Sequence, residues 1–313
     1  MPGNPRVLVT GASGFIGRAL VKALLARGAA VTGVDLLPFP DGALQCRIGD
    51  LTAPGVIAAL FEKPLDAVFH LAARTSVLQS IADPQGVYRA NVEVTQSLLE
   101  SCRGAGVGVG AFVLASTNAV VGDSSLDRMQ ESSPLRPLTP YGATKAAAEM
   151  LCSAYGESYG LVASAVRMTN VYGPGMGRKD SFIVRLLRAA AQRSQVEIYG
   201  DGRQARDYLY VDDAVAGLLL AWDRKHQGPL IIGSGQTLDV LEAHRLASAA
   251  TGCKIAIEYR PARAGEMRTV RVDLSLARSL GFQPSFDLAR GLTPTWQALR
   301  QALGAELGAP AQV

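Results

Sequence analysis

The sequence predicts an α/β fold in which a doubly wound parallel sheet is joined to a smaller C-terminal lobe. Apolar runs of strand length alternate with segments of helix length, a glycine-rich turn follows the first run, and the alternation stops after Asn170. Apolar strands separated by helices are typical of a parallel sheet that is covered on both faces. We therefore predict a sheet domain over residues 1–170 and a lobe over residues 171–313, with some strands and helices interleaved.

Five apolar runs in the first half are predicted to be strands. They cover residues 6–10, 30–35, 67–71, 111–115 and 162–168, and another short strand is expected before Asp50. The segments between them are predicted as helices at residues 15–27, 54–62, 84–102 and 140–159. In the second half, apolar residues recur at helical spacing in segments 182–191, 211–222, 240–251 and 289–303.

Composition and charge argue against several classes of protein. Of the 313 residues, 48% are hydrophobic and 19% charged, which is ordinary for a globular chain with a large core. The net charge of +4 comes without a basic stripe, so we expect no nucleic-acid partner. With no signal-peptide pattern and no apolar segment of membrane-spanning length, we expect a cytoplasmic protein with no membrane partner. The four cysteines are too dispersed for a zinc site or a disulfide framework, and no metal is expected.

A glycine motif follows the first strand and opens the first helix. Gly11, Gly14 and Gly17 are spaced G-x-x-G-x-x-G, and Phe15 and Ile16 begin the helix. Glycines in such a turn let the backbone approach a pyrophosphate at the positive end of the helix. The motif therefore predicts a Rossmann-type dinucleotide site in residues 1–170, the alternative being an ordinary turn between strand and helix.

Acidic residues after the second and third strands indicate which dinucleotide binds. Asp35 ends the second strand, where a carboxylate can accept hydrogen bonds from the adenosine ribose and would repel a 2′-phosphate. Leu36 and Leu37 follow it, with no arginine to bind that phosphate, so NAD is predicted rather than NADP. Asp50 and Leu51 are weaker candidates for contact with the adenine. Taken alone, Asp35 could also be a turn residue.

Tyr141 and Lys145 are four residues apart on a predicted helix and therefore share one of its faces. An ammonium group beside a phenol stabilises the phenolate and is expected to lower the pKa of the phenol. We therefore expect Tyr141 to be a proton acceptor near neutral pH. Without the dinucleotide motif, an ordinary pair on a helix surface would be the better interpretation.

Five motifs occur in an order that resembles a known family. They are the glycine turn at residues 10–17, His70-Leu71-Ala72-Ala73, Ser116-Thr117, Tyr141-x-x-x-Lys145, and Arg206-Asp207-Tyr208-x-x-Val211-x-Asp213. The set resembles the extended short-chain dehydrogenase/reductase family, in its NAD-dependent nucleotide-sugar epimerase/dehydratase branch, and it spans nearly the whole chain. A Tyr-x-x-x-Lys motif alone is common by chance, whereas the ordered set is specific.

The resemblance implies distinct roles for three residues. Tyr141 would take the proton of a sugar hydroxyl while hydride leaves the same carbon for the nicotinamide. Lys145 would hold the nicotinamide ribose and tune Tyr141. Thr117 would hydrogen-bond the same sugar oxygen and help to relay its proton. Considered alone, Thr117 would more often be a strand-end hydroxyl that caps local backbone.

The resemblance also implies further contacts with the cofactor. The backbone of Leu71, Ala72 and Ala73 would lie against it, which suits the small side chains of the two alanines. Asn91 would help to hold the cofactor region, with a surface polar residue as the alternative. His70 ends an apolar strand, and we expect a buried, hydrogen-bonded histidine rather than a catalytic group.

The substrate residues implied by the resemblance lie mainly in the second half. Arg206 and Arg263 would grip the diphosphate of a nucleotide sugar, because guanidinium groups bind phosphates through paired hydrogen bonds. Surface ion pairing is the alternative for either arginine alone. Tyr199 could equally be a core aromatic. The other candidates for substrate binding are Thr75, Ser76, Thr117, Asn170, Val196 and Glu266.

The two residues after Thr117 discriminate among reactions. Dehydratases of this branch carry an Asp-Glu pair there, whereas this chain has Asn118 and Ala119. The resemblance therefore favours an epimerase that inverts C4 of a nucleotide-diphosphate sugar, a UDP-hexose or a UDP-uronic acid, through a transient 4-keto intermediate. The alternatives are a 4-ketoreductase or dehydratase, and a non-catalytic sensor of NAD or nucleotide sugar. The family also implies a homodimer built on the helices at residues 84–102 and 140–159.

Overall fold

The computed structural model describes residues 4–40, 42–104, 108–123, 127–262 and 268–308, with backbone alone for 305–308. The chain so described divides into two compact units. The first comprises Met1–Met168, Ala214–Ile232 and Asp273–Phe282, and the second comprises Thr169–Asp213, Gly233–Val272 and Gln283–Val313. Two segments from the second half of the chain thus belong to the first unit. The assignment of one unit to the cofactor and the other to the substrate stays a prediction.

Strands and helices alternate along most of the chain. The strands are β1 (Arg6–Thr10), β2 (Ala30–Asp35), β3 (Arg47–Ile48), β4 (Ala67–His70), β5 (Phe112–Thr117), β6 (Ala163–Met168), β7 (Asn170–Tyr172), β8 (Gln195–Tyr199), β9 (Ala205–Tyr210), β10 (Gly228–Ile232), β11 (Thr237–Asp239) and β12 (Ala256–Arg260). The helices are α1 (Phe15–Ala26), α2 (Val77–Ala82), α3 (Pro84–Tyr88), α4 (Val94–Arg103), α5 (Pro140–Tyr159), α6 (Phe182–Gln192), α7 (Val211–Asp223), α8 (Val240–Thr251), α9 (Ser275–Ser279) and α10 (Leu288–Gly308).

A parallel sheet forms the centre of the first unit. Among the described residues it has seven strands in the order β3-β2-β1-β4-β5-β6-β10. The strand order reverses direction between β1 and β4, and the carboxyl ends of strands at such a switch point border a crevice. Thr10, His70 and Thr117 end the neighbouring strands β1, β4 and β5. The predicted α/β class and doubly wound sheet are confirmed.

Apolar side chains from both the strands and the helices form the core of the first unit. Leu8, Val68 and Leu114 on β1, β4 and β5 are fully buried. Leu98 and Leu99 on α4 belong to the same cluster and are also fully buried. Because protein interiors are close-packed, this core fixes the positions of the strand ends that border the crevice.

Three elements of the first unit differ from the predictions. β10 has no counterpart among the predicted strands, yet it pairs with β6 at one edge of the sheet. The predicted helix at residues 54–62 is only a short 3₁₀ turn, because Gly55 adopts a left-handed φ of +79° that an α-helix does not accommodate. The predicted helix at residues 84–102 is interrupted by a π-helical turn at Arg89–Glu93.

A buried carboxylate organises the second unit. Asp207 on β9 is fully buried and accepts hydrogen bonds from the backbone amides of Ser234 and Gly235, each at 2.8 Å. The Thr169 hydroxyl donates to it at the same distance of 2.8 Å. Burial raises the pKa of Asp207, and these hydrogen bonds oppose that increase. Within the described ranges of this unit, β7, β9 and β11 form one sheet, and β8 pairs with β12.

The described helices include none long and apolar enough to cross a membrane. The cysteines at positions 46, 102, 152 and 253 are free thiols. In the ranges that the structure describes, no group of three or more His, Cys, Asp or Glu residues is placed to hold a metal ion.

Candidate active site

The glycine turn joins β1 to α1 and lies against the loop that follows β4. Gly11 has a φ of +71°, and a Cβ there would lie 2.7 Å from the amide nitrogen of Ala72. A Cβ on Gly17 would lie 2.0 Å from the carbonyl oxygen of Gly11. The amide of Gly14 donates to this same oxygen at 3.1 Å. Gly11 and Gly17 are therefore required by backbone packing as well as by the approach of a ligand.

The N-terminus of α1 carries no side-chain cap from the described residues, and its first turn has no acidic residue. This turn includes Phe15, Ile16 and Gly17. The positive end of the helix dipole is thus not neutralised by a carboxylate of its own. Such a terminus suits an anionic pyrophosphate.

Asp35 is held at the carboxyl end of β2 by neighbouring backbone amides. Ser13 donates to its Oδ2 at 3.0 Å, and Leu37 donates to its Oδ1 at 3.1 Å. Each carboxylate oxygen still has a second lone pair that a ribose hydroxyl can reach. Leu36 and Leu37 are 64% and 50% exposed beside it. The geometry therefore suits NAD.

Asp50 and Leu51 follow β3. Thr52 donates to Asp50 Oδ1 from its amide at 2.9 Å and from its hydroxyl at 2.7 Å, and these bonds lower the pKa of Asp50. The carboxylate of Asp50 therefore stabilises its own turn. Leu51 packs against the core of the first unit. Contact between either residue and an adenine stays a prediction.

His70, at the end of β4, lies in a chain of buried hydrogen bonds. Its Nδ1 is 2.7 Å from the Thr10 hydroxyl, and its Nε2 is 3.1 Å from the Thr95 hydroxyl. Thr95 donates its own proton to the Asn91 carbonyl at 2.6 Å, so we assign the ring proton to Nε2. Burial and the charge of Lys145 lower the pKa of His70 to about 3. His70 is thus a neutral, buried histidine, as the sequence indicated.

The loop after β4 is fixed to the end of β1. The amide of Leu71 donates to the Thr10 carbonyl at 3.1 Å, and the amide of Ala72 donates to the Thr10 hydroxyl at 3.2 Å. Ala73 follows in the same loop and is partly buried. The backbone of these residues therefore lies at the switch point of the sheet, beside the glycine turn.

Asn91 connects this loop to α5. Its Oδ1 accepts from the Arg74 amide at 2.9 Å, and its Nδ2 donates to the Arg74 carbonyl at 3.1 Å and to the Thr144 hydroxyl at 3.0 Å. Thr144 in turn donates to the Tyr141 carbonyl at 2.8 Å. Asn91 is 1% exposed, so it is a buried connector rather than a surface polar residue.

The start of α5 brings Tyr141 close to the end of β5. Thr139 caps the helix by accepting from the Gly142 amide at 3.2 Å. A Cβ on Gly142 would lie 2.7 Å from the Ala119 carbonyl oxygen, so only glycine allows this approach. Tyr141 consequently lies near Thr117, whose side chain acts to lower the pKa of the phenol.

Burial dominates the protonation of Tyr141 and Lys145. It raises the pKa of Tyr141 to about 12, although the neighbouring Thr117 side chain acts in the opposite direction. It lowers the pKa of Lys145 to about 8, although the Glu149 carboxylate opposes this. The expectation that Lys145 brings the phenol near neutral pH is therefore wrong for the groups of the chain itself. Desolvation is the largest effect on the phenol, which is therefore protonated at pH 7.

Lys145 is buried without a hydrogen-bonding partner in the described part of the chain. The residue is 3% exposed, and no hydrogen bond or ion pair joins its ammonium to another described residue. A buried ammonium is unfavourable unless its protons meet acceptors. The site thus fits a ligand that brings hydroxyl groups, as a nicotinamide ribose does. Together with the terminus of α1 and Asp35, these residues fit NAD.

A buried ion pair that was not predicted from the sequence lies one helical turn beyond Lys145. Arg167 on β6 donates to Glu149 on α5 from Nη2 at 2.8 Å and from Nε at 3.0 Å, and their side chains are 4% and 5% exposed. The Ser116 hydroxyl donates to the same carboxylate. Two signals were available: Glu149 continues the four-residue spacing of Tyr141 and Lys145, and Arg167 is a charge inside an apolar strand, which requires a partner.

Two predicted substrate residues lie in the loop after β4. Thr75 is exposed, whereas Ser76 caps α2 by accepting from the Gln79 amide at 3.2 Å. Two others, Arg263 and Glu266, lie outside the described residues. Their contacts with a substrate stay predictions.

The remaining predicted substrate residues lie in the second unit. Asn170 donates to a backbone carbonyl of β9 at 3.1 Å, and Arg206 donates to the carbonyl of the preceding residue at 3.0 Å. The Tyr199 hydroxyl donates to Glu197 at 2.6 Å. Val196 is buried, with 3% exposure. Their substrate contacts also stay predictions.

A dinucleotide site at the switch point of a doubly wound sheet, with a tyrosine and a lysine one helical turn apart, defines a class of NAD-dependent enzymes. The chain belongs to the NAD dependent epimerase/dehydratase family, whose model matches residues 7–233. This membership confirms the family that the motifs indicated and confirms NAD as the cofactor.

Known relatives cover almost the whole chain. It is 37% identical over 310 residues to a dTDP-glucose 4,6-dehydratase of Streptomyces griseus, covering 92% of each chain. It is 34% identical over 312 residues to a UDP-glucose 4-epimerase of Mycolicibacterium smegmatis, covering 94% of this chain and 98% of the relative. The solved structure of MoeE5 in complex with UDP-glucose and NAD has 40% identity and a TM-score of 0.87, covering 95% of this chain and 99% of that chain. MoeE5 has also been solved with UDP-glucuronic acid and NAD.

Proposed function

We propose that the chain is an NAD-dependent epimerase that inverts C4 of a nucleotide-diphosphate sugar, a UDP-hexose or a UDP-uronic acid, through a transient 4-keto intermediate. The observation that carries this proposal is the placement of Thr117, Tyr141 and Lys145 at the carboxyl edge of the sheet, followed at position 119 by alanine. This group can move a proton at a sugar hydroxyl, and it lacks the carboxylic side chains that an elimination needs.

Tyr141 is the proton acceptor and donor in this mechanism. In its phenolate form Tyr141 takes the proton of the sugar 4-hydroxyl and becomes the neutral phenol, while the neighbouring Thr117 hydroxyl orients the same sugar oxygen. Lys145 holds the nicotinamide ribose and favours the phenolate. The chemistry that NAD supplies when bound is reversible hydride transfer at C4, together with a positive charge that opposes the effect of burial on the phenol. After the sugar turns about its diphosphate, Tyr141 returns the proton and the configuration is inverted.

The residues beside Thr117 support epimerisation over loss of water. Ala119 has no group that can transfer a proton, and Asn118 is an amide that is 7% exposed. Glu149, the buried carboxylate on the facing helix, is ion-paired with Arg167. Epimerisation needs only the proton transfer that Tyr141 performs, so similarity to several dTDP-glucose 4,6-dehydratases does not outweigh these differences.

Similarity to known proteins supports a UDP-sugar as the substrate. MoeE5 has been solved with UDP-glucose and with UDP-glucuronic acid, and the relative from Mycolicibacterium smegmatis is a UDP-glucose 4-epimerase. In this proposal Arg206 and Arg263 hold the diphosphate through paired hydrogen bonds. Asn170 and Tyr199 contact the rest of the substrate. We also propose that the protein forms a homodimer through the α3–α4 segment and α5, and that it is located in the cytoplasm.

Replacing the phenol tests this function. Tyr141→Phe should retain bound NAD and reduce interconversion at C4 by about 100-fold or more, because general acid–base catalysis contributes on the order of 10²–10⁴. The assay is NMR on a panel of UDP- and dTDP-sugars. Tyr159→Phe, the same change at an exposed tyrosine of α5, should leave turnover unchanged. Undiminished turnover in Tyr141→Phe would refute the assignment.

The same assay separates the alternatives. A 4-ketoreductase consumes NADH in every cycle, so sustained turnover without added NADH excludes it. A dehydratase accumulates a keto sugar that has lost water, which NMR distinguishes from a C4 epimer. A sensor binds NAD and nucleotide sugar and converts none of the sugars in the panel.

A further inference from the structure

The buried ion pair between Glu149 and Arg167 is not used by the proposed mechanism. The Glu149 carboxylate is bound by Nε and Nη2 of Arg167 and by the Ser116 hydroxyl. Arg167 Nη1 donates to the Glu131 carbonyl at 2.9 Å, so the guanidinium is held as well. Buried ion pairs seldom stabilise a fold more than apolar residues of similar volume would. Fold stability is therefore a poor reason for placing two charges in this core.

We propose that Glu149 is a positioning residue for the catalytic pair. Its carboxylate is the fixed counter-charge of the Lys145 ammonium, and it anchors α5 to the strand that carries Thr117. The roles of Lys145 and Thr117 in this inference rest on the proposed function. The placement of Glu149 rests on the contacts of the first unit.

The geometry of α5 supports the anchoring role. Tyr141, Lys145 and Glu149 recur every four residues along one face of the helix. Ser116 on β5 and Arg167 on β6 are register partners, and both bind the Glu149 carboxylate. Thr117 is the residue after Ser116. A slide of α5 that moves Tyr141 away from the end of β5 would therefore break these hydrogen bonds.

Apart from Glu149, the titratable groups that face Lys145 from α5 and β4 are neutral at pH 7. On α5, burial raises the pKa of both Tyr141 and Cys152 to about 12. From β4, His70 approaches with a pKa of about 3. None of these groups can balance a buried ammonium at neutral pH.

The charged groups next to Lys145 are the two members of the ion pair. Glu149 lies one turn along α5, and its negative charge raises the pKa of Lys145 against the effect of burial. Arg167 approaches from β6 on the other side of the carboxylate, and Ser116 on β5 contributes an uncharged hydroxyl. Glu149 is therefore the counter-charge that keeps Lys145 protonated.

The test is a titration of the Lys145 ammonium in the full chain. Lysine labelled with ¹³C at Cε gives a small set of NMR signals, because the chain has few lysines. These are Lys22, Lys63, Lys145, Lys179, Lys225 and Lys254. The signal of Lys145 is identified by its loss in Lys145→Met. In the wild type this signal should titrate at about pH 8.

Glu149→Gln keeps the side-chain volume and removes the charge. The midpoint of the Lys145 signal should fall by at least about one pH unit, since a nearby opposite charge favours the protonated form. Glu157→Gln makes the same change at an exposed position of α5 and should leave the midpoint where it is. A Lys145 midpoint that does not move in Glu149→Gln would overturn the proposal.

A second variant covers the case in which Glu149→Gln fails to fold. Glu149→Gln/Arg167→Met removes both buried charges, so no unpaired guanidinium remains. The Lys145 midpoint should still fall, since it is the charge of Glu149 that acts on Lys145. An unshifted midpoint in this double variant would contradict the proposal just as clearly.

NAD binding is the second measurement. In Glu149→Gln the dissociation constant of NAD should rise roughly 10-fold between pH 6 and pH 8 as Lys145 loses its proton, and less in the wild type. Neither measurement uses a sugar. A failed epimerase assay therefore leaves this proposal intact, whereas an active epimerase in which Glu149→Gln shifts neither measurement would overturn this proposal alone.

Discussion

Two buried networks of polar side chains lie against α5, and they are built from opposite kinds of chemistry. One contains no charged group and joins the ends of β1 and β4 to the start of the helix. We call it the neutral network, formed by Thr10, His70, Thr95, Asn91 and Thr144. The other joins the middle of α5 to β5 and β6. We call it the charged network, formed by Ser116, Glu149 and Arg167.

The two networks differ in what they supply to α5: one supplies hydrogen bonds alone, and the other supplies hydrogen bonds together with a negative charge. In the neutral network every group supplies hydrogen bonds alone, and His70 is kept in one neutral tautomer. The charged network also supplies hydrogen bonds, but it adds a negative charge next to Lys145. Both networks thus position α5, whereas only the charged network sets the electrostatic environment of Lys145. Breaking either network should therefore give effects that differ in size and in pH dependence.

The largest effect is expected from Arg167→Met. It leaves the Glu149 carboxylate buried without its cation, and breaking a buried pair on one side costs about 3–5 kcal/mol of unfolding free energy. Urea denaturation at pH 7 measures it. Arg27→Met is the matched control, because Arg27 pairs with Asp223 at 3.0 Å with both side chains about half exposed. That change should cost less than about 1 kcal/mol. Equal losses of unfolding free energy in the two variants would mean that the buried ion pair matters no more for stability than the exposed one.

A smaller effect, and one that depends on pH, is expected at His70. The folded pKa of about 3 lies below the value near 6.5 of an unfolded chain, so the unfolded state binds the proton more readily. The stability that His70 contributes is complete above pH 6.5 and is lost as the pH falls towards 3. The loss should approach about 1.4 kcal/mol per pH unit.

His70→Gln isolates this contribution. Urea midpoints measured from pH 7 to pH 5 should fall more steeply in the wild type than in His70→Gln, because carboxylates contribute to both curves and the imidazole to one. Parallel curves would mean that His70 binds its proton as readily in the folded protein as in the unfolded chain. The neutral network would then contain a group that becomes charged within this pH range.

The smallest effect is expected from Thr144→Val. It removes the hydroxyl that accepts from Asn91 and donates to the Tyr141 carbonyl, at a cost of about 1–2 kcal/mol. Thr32→Val on β2 changes the same atoms without removing a side-chain hydrogen bond found in the described structure, and should be near neutral. The free energy of unfolding and the turnover measured by NMR are compared between Thr144→Val and Thr32→Val. A Thr144→Val variant as stable and active as Thr32→Val would show that Asn91 holds the loop without help from α5.

The sequence predicted the elements that depend on local signals. β1, β2 and α5 have the predicted bounds, because β1 and β2 are short valine-containing segments beside glycine turns and α5 is bracketed by a threonine cap and by Gly160, with φ +68°. The glycine turn follows β1 and Asp35 ends β2, as predicted, and the two meet where the Ser13 amide donates to the Asp35 carboxylate. The positions of these residues were therefore predictable, while their contacts with NAD and with a sugar stay predictions.

Features that depend on contacts between distant segments were not predictable in the same way. β10 is short, and it is a strand because β6 lies beside it. The pairing of Glu149 with Arg167 joins residues on different elements, although the charge inside β6 signalled that a partner was needed. The predicted direction of the pKa shift of Tyr141 was wrong. The four-residue spacing indicates a neighbouring ammonium, but it does not indicate the extent of burial.

The start of α5 packs at Gly142 against the main chain of Ala119. It is the carbonyl oxygen of Ala119 that lies 2.7 Å from a Cβ at Gly142, and the Ala119 side chain itself is partly exposed. A longer, acidic side chain at this position can therefore be introduced without forcing the helix away from the sheet. Selection for a new reaction, in nature or in the laboratory, can thus begin at residue 119 while Tyr141, Lys145 and Thr117 keep their positions.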